Sequence, residues 1–433
     1  MLHNRTLVTL FSLLVIITGT ILAIRWAQGY RPTRQGIVAG TGLLAANSFP
    51  NGASVFIDGS LRSASDTTLN LSPGTYAVEI AKDGYWSWNK KITIEKELVV
   101  QTNALLIPKN PSLTPVTITG AQYVTPSPDG QQLLFYTASA SAAKNNGLFV
   151  SEMTDSPLTL SRGPRQITGP LTGWNLEKIS ILWSPGSDKV LLIGNGKSLL
   201  LDTNKFTDAA TAVDVSATVP SLLATWQQEL TLRNSQELAK FPKEIVDIAS
   251  SSGSRSYISP DNRMLLYTVS IDTTLPDTVI SSPPASSTQT QERKLHAGST
   301  YVYDRQEDRN FLIARGALPI PTPTTPVIKK KGTKVAPTLI AATADPVITL
   351  RDHYTPLFVG LPQWLSDSRH LILRSENKIS IIEYDATNEM PVYTGSYAGN
   401  FVYPWPNGSK LVILTNFNAA ESAFFNLYAI SLR

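Results

Sequence analysis

The 433-residue chain contains no cysteine, which excludes disulfides, thiolate zinc sites, iron–sulfur clusters and cysteine nucleophiles together. Histidine is almost as scarce. His3, His296, His353 and His370 are the whole complement, and no two of them stand at metal-ligand spacing or within an HExxH helix. There is no GxSxG elbow. The one segment that ends like a phosphate loop, Gly194-Asn195-Gly196-Lys197-Ser198, has Leu191 where such a loop needs its first glycine. Asn195-Gly196 between two apolar runs predicts a two-residue hairpin instead. Acidic residues are missing from the first 34 positions, which hold Arg5, Arg25, Arg31 and Arg34. With those four set aside, the remaining 33 basic residues equal the 33 acidic ones. A formally neutral body lacks the basic footprint of a nucleic-acid binder, so no nucleic acid is expected as partner. Lys329, Lys330 and Lys331 with Lys334 read as a solvated loop.

What is present begins with an uncharged apolar run from Leu7 to Ile24, after a short flank over 1–6. Its 18 residues span about 27 Å as a helix, close to the hydrocarbon thickness of a bilayer. Arg25 and Trp26 end it as interfacial anchors do. The run is longer than the apolar stretch of a usual signal peptide and no small-x-small cleavage site follows cleanly, so it reads as an uncleaved signal anchor. Local charge points the other way from the domain content. Arg25, Arg31 and Arg34 on the carboxyl side would hold the body in the cytoplasm, whereas the domains behind them argue for a single-pass cell-membrane protein with its bulk outside the cytoplasm.

Further along, one pattern recurs five times: SPDGQQLLFY from Ser127, SPGSDKVLLI from Ser184, SPDNRMLLYT from Ser259, LSDSRHLILR from Leu365 and WPNGSKLVIL from Trp405. Each is a tight turn feeding an apolar run. Trp183, Tyr257, Trp364 and Tyr403 stand just before four of the turns, and a second strand-like segment follows each run. A unit of strand, turn, strand, loop, strand cannot bury both faces alone, and radial packing is the solution for repeated antiparallel sheets. The spacing predicts a β-propeller over 118–433 with about six blades, five and seven being alternatives. Ala224–Phe241 is a candidate for an extra blade, with a helix as the competing reading. Two polar low-complexity tracts near 281–294 and 317–345 are expected to be disordered insertions.

Between a juxtamembrane linker over 25–39 and a Pro-containing linker over 110–117 lies a small all-β module, residues 40–109. Asp58-Gly59 predicts a type I′ hairpin, Tyr76, Val78 and Ile80 alternate with Ala77, Glu79 and Ala81, and Ile92 and Ile94 share a face. The residues Phe49-Pro50-Asn51-Gly52-Ala53-Ser54-Val55-Phe56-Ile57-Asp58-Gly59, then Leu71-Ser72-Pro73-Gly74-Thr75-Tyr76 and Lys82-Asp83-Gly84-Tyr85, resemble the PEGA domain. Asn51 stands where that motif has Glu, and Asp66-Thr67-Thr68 replaces its usual Thr-Pro. Ala27-Gln28-Gly29-Tyr30-Arg31-Pro32 resembles the juxtamembrane stretch of membrane-anchored bacterial PEGA proteins with a propeller behind the module, and the repeats resemble TolB-type propellers. The resemblance implies an all-β chain, a PEGA β-sandwich followed by a β-propeller and preceded by one transmembrane helix, with a role outside the membrane and no catalytic residues to carry over.

For chemistry, the repeated Asp129, Asp261 and Asp367 are expected to hold their own turns through side-chain to backbone bonds rather than to converge on a cation. His370 is expected at a strand edge, and at least one of Trp86 and Trp88 in the module core. A serine hydrolase would need His296 or His353 brought beside a serine and a carboxylate by folding. The expectation is a non-enzymatic, membrane-anchored scaffold binding an envelope protein or a glycan, without cofactor, metal or catalytic residues. The alternative is a hydrolase or lyase acting on cell-wall or polysaccharide substrates in the propeller channel.

Overall fold

The computed structural model describes residues 2–27, 31–32, 38–155, 163–194, 196–251, 254–284, 287–316, 346–355, 357, 360–417 and 424–433. It forms two compact units, Met1–Asn110 with Ser281–Thr290, and Pro111–Ile280 with Gln291–Arg433. The tract expected to be disordered over 317–345 lies outside the described residues.

The first unit opens with helix α1, Leu2–Ala27. Its Leu7–Ile24 stretch is long and apolar enough to cross a membrane, and none of it is buried against protein. Thr20, one of its few polar residues, turns its hydroxyl back onto Ile16 O at 2.8 Å, so the helix satisfies that group internally, as a lipid environment demands. Two sheets then form the sandwich. One runs Ser60–Ala64, Ser54–Ile57, Gly74–Ala81, Trp88–Ile94; the other runs Thr67–Leu71, Gly42–Phe49, Val99–Leu105, with its last pair parallel. Leu44, Val55, Ile57, Val78, Ile80, Trp88, Ile92 and Ile94 share the core between them, each full burial contributing about 1.5–3 kcal/mol. The turn at Asp58-Gly59 has positive φ at both residues, 48° and 74°, as the type I′ signature requires. Trp88 is the core tryptophan; Trp86 is at the surface with Lys109 Nζ 5.7 Å over its ring.

Among the described residues, the second unit carries five blade sheets and one two-stranded sheet. Blade 1 is Gln122–Pro126, Gln132–Thr137, Gly147–Glu152 and Arg165–Thr168; blade 2 is Ser180–Trp183, Lys189–Gly194 and Lys197–Asp202; blade 3 is Ser256–Ile258, Met264–Thr268, Thr300–Asp304 and Arg309–Ala314. Blade 4 is Gln363–Trp364, His370–Ser375, Lys378–Glu383 and Met390–Thr394. Blade 5 is Val402–Pro404, Lys410–Thr415 and Asn426–Ser431, completed by Leu113–Pro115 from the start of the unit. That last pairing, Leu113↔Ile430 to Pro115↔Tyr428, joins the two ends of the ring. The second strands are apolar without alternation because a blade is covered on both faces. Leu134 and Tyr136 meet Trp183, Val190 and Leu192 of blade 2, while Leu133 and Phe135 share a cluster with Tyr403, Val412 and Leu427 of blade 5. Blades 3 and 4 meet through Met264, Leu266, Val302, Trp364 and Leu371.

A sixth sheet is replaced by helices. Ala224–Phe241, the candidate extra blade, lies mostly within helix α2, Val219–Leu238, followed by α3, Lys243–Ala249. Leu223 and Trp226, with Leu222 and Leu230, recur at helical spacing and pack on Leu182 and Leu191 of blade 2. Leu238, Phe241, Ile245 and Ala249 pack on Leu265 and Tyr267 of blade 3. The helices therefore fill the slot between blades 2 and 3.

The tract near 281–294 also departs from the expected disorder at its far end. Lys294–Leu295 pairs with Thr273–Thr274. Asn310 Nδ2 donates to Glu292 O at 2.7 Å, and the buried carboxylate of Asp308 accepts from Val279 N at 2.9 Å and pairs with Arg293 at 3.1 Å. A buried acid in the turn of blade 3 holds both ends of the excursion, which its Ser/Pro composition did not reveal.

Candidate binding face

The five repeats fold into five corners of one hydrogen-bond pattern between the first and second strands of each blade. In each, the opening residue (Ser127, Ser184, Ser259, Leu365, Trp405) donates its N–H to the carbonyl five residues on at 2.8 Å, and accepts at its own carbonyl from the residue three on. That third residue, Gly130, Ser187, Asn262, Ser368 or Gly408, has φ between 59° and 69°. A left-handed backbone favours glycine, yet two serines stand here, and their hydroxyls explain the choice. Ser187 Oγ accepts from Asp129 N of the preceding corner at 3.2 Å, and Ser368 Oγ accepts from Asp261 N at 2.9 Å. Glycine appears where the neighbouring corner crowds in. A Cβ on Gly408 would stand 2.8 Å from Ser366 Oγ, and one on Gly130 would stand 3.0 Å from Tyr403 Oη. The corners of blades 3, 4, 5, 1 and 2 are thus in sequential contact around one mouth of the ring. Arg233 of α2, donating to Pro185 O at 3.2 Å, takes up the remaining gap.

The corner carboxylates are engaged as the sequence leads one to expect. Asp129 Oδ1 accepts from Ser127 Oγ at 2.5 Å and Gln131 N at 3.0 Å; Asp261 Oδ1 accepts from Ser259 Oγ at 2.6 Å and Arg263 N at 3.0 Å. Asp367 accepts from the amides of Arg369 and His370, and its Oδ2 lies 2.6 Å from His370 Nδ1. Burial works against the Asp367 charge, but the imidazole and the two amides outweigh it and hold the carboxyl below its ordinary range. His370 opens its strand and is buried. The other acids do not gather with it at the mouth, because each is bonded into its own turn.

Beside the mouth, the helical wedge leaves a cleft of 680 Å3 lined by Arg233 and Glu237 of α2, Arg255 and Tyr257 of blade 3, and Thr349 and Asp352 of α4, Pro346–Tyr354. Tyr257 Oη donates to Asp352 O at 2.8 Å and Arg255 pairs with Asp352 at 3.2 Å. Burial pushes the Tyr257 hydroxyl well above its usual range, so it remains a donor.

Tyr354 Oη donates to Trp183 O of blade 2 at 2.9 Å, Asp352 is held by blade 3, Leu357 joins the cluster of blades 5 and 1, and Arg374 of blade 4 donates to Leu357 O and Leu361 O at 2.8 and 2.6 Å. Described residues between 346 and 361 thus touch all five blades. Their sequence follows both polar tracts and carries no periodicity that marks these contacts.

Of the remaining candidates, His296 stands half-exposed, 3.7 Å from Glu292 and 3.9 Å from Asp272. His353 is on α4, and its side chain lies outside the described residues. Ser198 and Lys197 belong to a hairpin that pairs Gly194 with Lys197, with Gly196 at φ 71°; Asn195 lies outside the described residues. Among the described residues, no three His, Asp or Glu side chains gather as a metal site would require.

Comparison with known proteins places the PEGA domain on residues 41–110. No curated protein matches the chain. Among solved structures, it is similar to putative TolB from Agrobacterium tumefaciens at 13% identity, over 70% of this chain and 76% of that one, with a TM-score of 0.21. TolB from Acinetobacter baumannii aligns at 12% identity over 82% of this chain and 60% of that one, TM-score 0.21. An oligogalacturonate lyase from Vibrio parahaemolyticus aligns at 8% identity over 91% and 99%, TM-score 0.25. The propeller is defined by the strand pairing itself.

Proposed function

We propose that this chain is a membrane-anchored envelope protein that binds a protein or glycan partner on the corner face of its propeller and does not catalyse a reaction. Helix α1 supplies the anchor and the PEGA module the spacer. The observation that carries the reading is the use of the mouth's carboxylates. Asp129, Asp261 and Asp367 are committed to turn bonds, so the face offers a rigid array of corners that brace one another. Such a surface loses little conformational entropy when a partner docks. The mouth and the wedge cleft are the places where a partner can seat.

A photo-crosslinking amino acid placed at Gln131 or Arg369, both exposed on the corner face, is expected to yield adducts in living cells. The same probe at Glu376, on the turn at the opposite end of a blade, is expected to yield none. Adducts at Glu376 with none at the corners would overturn the assignment of the face, as would silence at all three positions in well-expressed protein.

A further inference from the structure

The sandwich of the first unit ends in four edge strands, and an edge presents a row of backbone groups that pairs with another chain unless charges, bulges or neighbouring chain guard it. Trp88–Ile94 carries Lys90 and Lys91, and Gln289 Nε2 donates to Lys91 O at 2.7 Å. Ser60–Ala64 carries Arg62 and a register shift against Val55 and Phe56. Val99–Leu105 has Lys96 and Glu97 at its head, and just past its tail Trp86 N donates to Ile107 O and Lys109 N to Gly84 O. The fourth edge, Thr67–Leu71, has no charge, no proline and an unbroken register with Gly42–Ala46. Its outward groups follow from the bonds on the other side of that neighbour. Leu43 N donates to Leu98 O and Leu106 N to Phe49 O, so Leu43, Ala45, Asn47 and Phe49 turn to the parallel strand, while Gly42, Leu44 and Ala46 turn to Leu71, Leu69 and Thr67. Thr68 and Asn70 therefore aim N–H and C=O away from the sheet. Among the described residues nothing bonds to them there. Their side chains are exposed, whereas Leu69 and Leu71 lie half-buried against the core.

We infer that Thr67–Leu71 pairs antiparallel with the same strand of a second copy of this chain, Leu69 opposite Leu69. The strand's own sequence selects a copy over a foreign strand. With the two-fold axis between the two Leu69 residues, Thr68 of each copy stands opposite Asn70 of the other, and the outward groups of both residues exchange N–H···O bonds. The leucines then meet at the closer, non-hydrogen-bonded spacing, on the face that continues the core. Thr68 meets Asn70 on the outer face, two groups that can hydrogen-bond, and no charge faces a like charge. The same side of the sandwich also carries Leu61, 63% exposed, because only Ser65 and Asp66 separate the edge strand Ser60–Ala64 from this one. A contact built on one short strand is small beside the interfaces of stable dimers, so the pairing is reversible and rises with protein concentration. It involves the first unit alone and does not depend on the corner face.

The test uses the full-length protein in detergent. The chain has no cysteine, so a disulfide can form only through an introduced one, and the Cα spacing of about 4.5 Å at a non-hydrogen-bonded pair suits that bond. On mild oxidation Leu69→Cys is expected to give a disulfide-linked dimer, and Lys91→Cys, on the guarded edge, to stay monomeric. Because Leu69 also packs on the core, a second measurement leaves it in place. In sedimentation equilibrium, Thr68→Lys combined with Asn70→Lys should raise the dimer's dissociation constant at least about tenfold, while the thermal transition stays where it is in wild type, since both side chains are exposed. A wild type that remains monomeric at the highest soluble concentration overturns the proposal. Association that ignores the two lysines does so as well, since it would run through α1 or another surface, and so does equal cross-linking through Lys91→Cys.

Discussion

At the scale of single residues, the corner of blade 4 shows how one side chain serves turn and ring together. Asp367 ties down two amides and the His370 ring, while Ser368 beside it receives the amide of Asp261 from the preceding blade. Asp367→Asn keeps the shape and weakens these bonds, at an expected loss of about 1–2 kcal/mol in denaturant unfolding. The figure stays at the low end because the side chain is 28% exposed and solvent screens it. The sign with pH follows from the lowered folded pKa. The carboxylate's contribution is present above the ordinary value of 3.8 and is lost as pH falls through the depressed folded value. The gap between wild type and Asp367→Asn should therefore be full at pH 6 and close below about pH 3.8, measured by urea midpoints across that range; a gap that widens in acid would contradict the assignment.

At the scale of elements, the sequence was legible wherever a turn residue carries the fold. Five corners, the Asp58-Gly59 turn and the Gly196 hairpin all follow from residues whose backbone preferences are local. The slot between blades 2 and 3 was not. Glu-Leu-Thr-Leu-Arg has a strand's alternation and a helix's spacing at once, and the choice is made by Leu223 and Trp226 reaching blade 2, a contact far away in sequence. The ordered end of the 281–294 tract depends in the same way on Asp308 and Asn310. The candidate site divides similarly: the corner aspartates were readable as turn formers, while the mutual contact of corners and the contacts of residues 350–361 with every blade exist only after folding. If α2 is integral to the ring, Leu223→Ala should cost about 2–4 kcal/mol and lower the single thermal transition of the propeller. A new low-temperature transition with the main one unmoved would instead make the wedge an independent appendage.

At the scale of the whole molecule, the charge around the apolar helix and the proposed function make opposite demands on topology. The arginines after Ile24 favour the cytoplasm, whereas the proposed partner face is placed outside it. A reporter enzyme active only outside the cytoplasm, fused after Arg433, is expected to be active and to stay with membranes through an alkaline wash. Deleting residues 2–27 should abolish reporter activity, because the anchor is also the export signal in this reading. An inactive fusion of full length and normal abundance would place the ring inside and remove envelope partners from consideration.

The seam has a mechanical consequence. Residues 113–115, the rungs that lock the propeller, follow directly in the chain after everything that leads back to α1, and they hold by only three residue pairs. Any pull relayed along the polypeptide from a fixed amino end arrives at this short strip before it reaches any other blade, with Asp155 gripping Asn407, Ser409 and Lys410 across the same junction as a backstop. Tension would therefore unlatch the circle at one defined place.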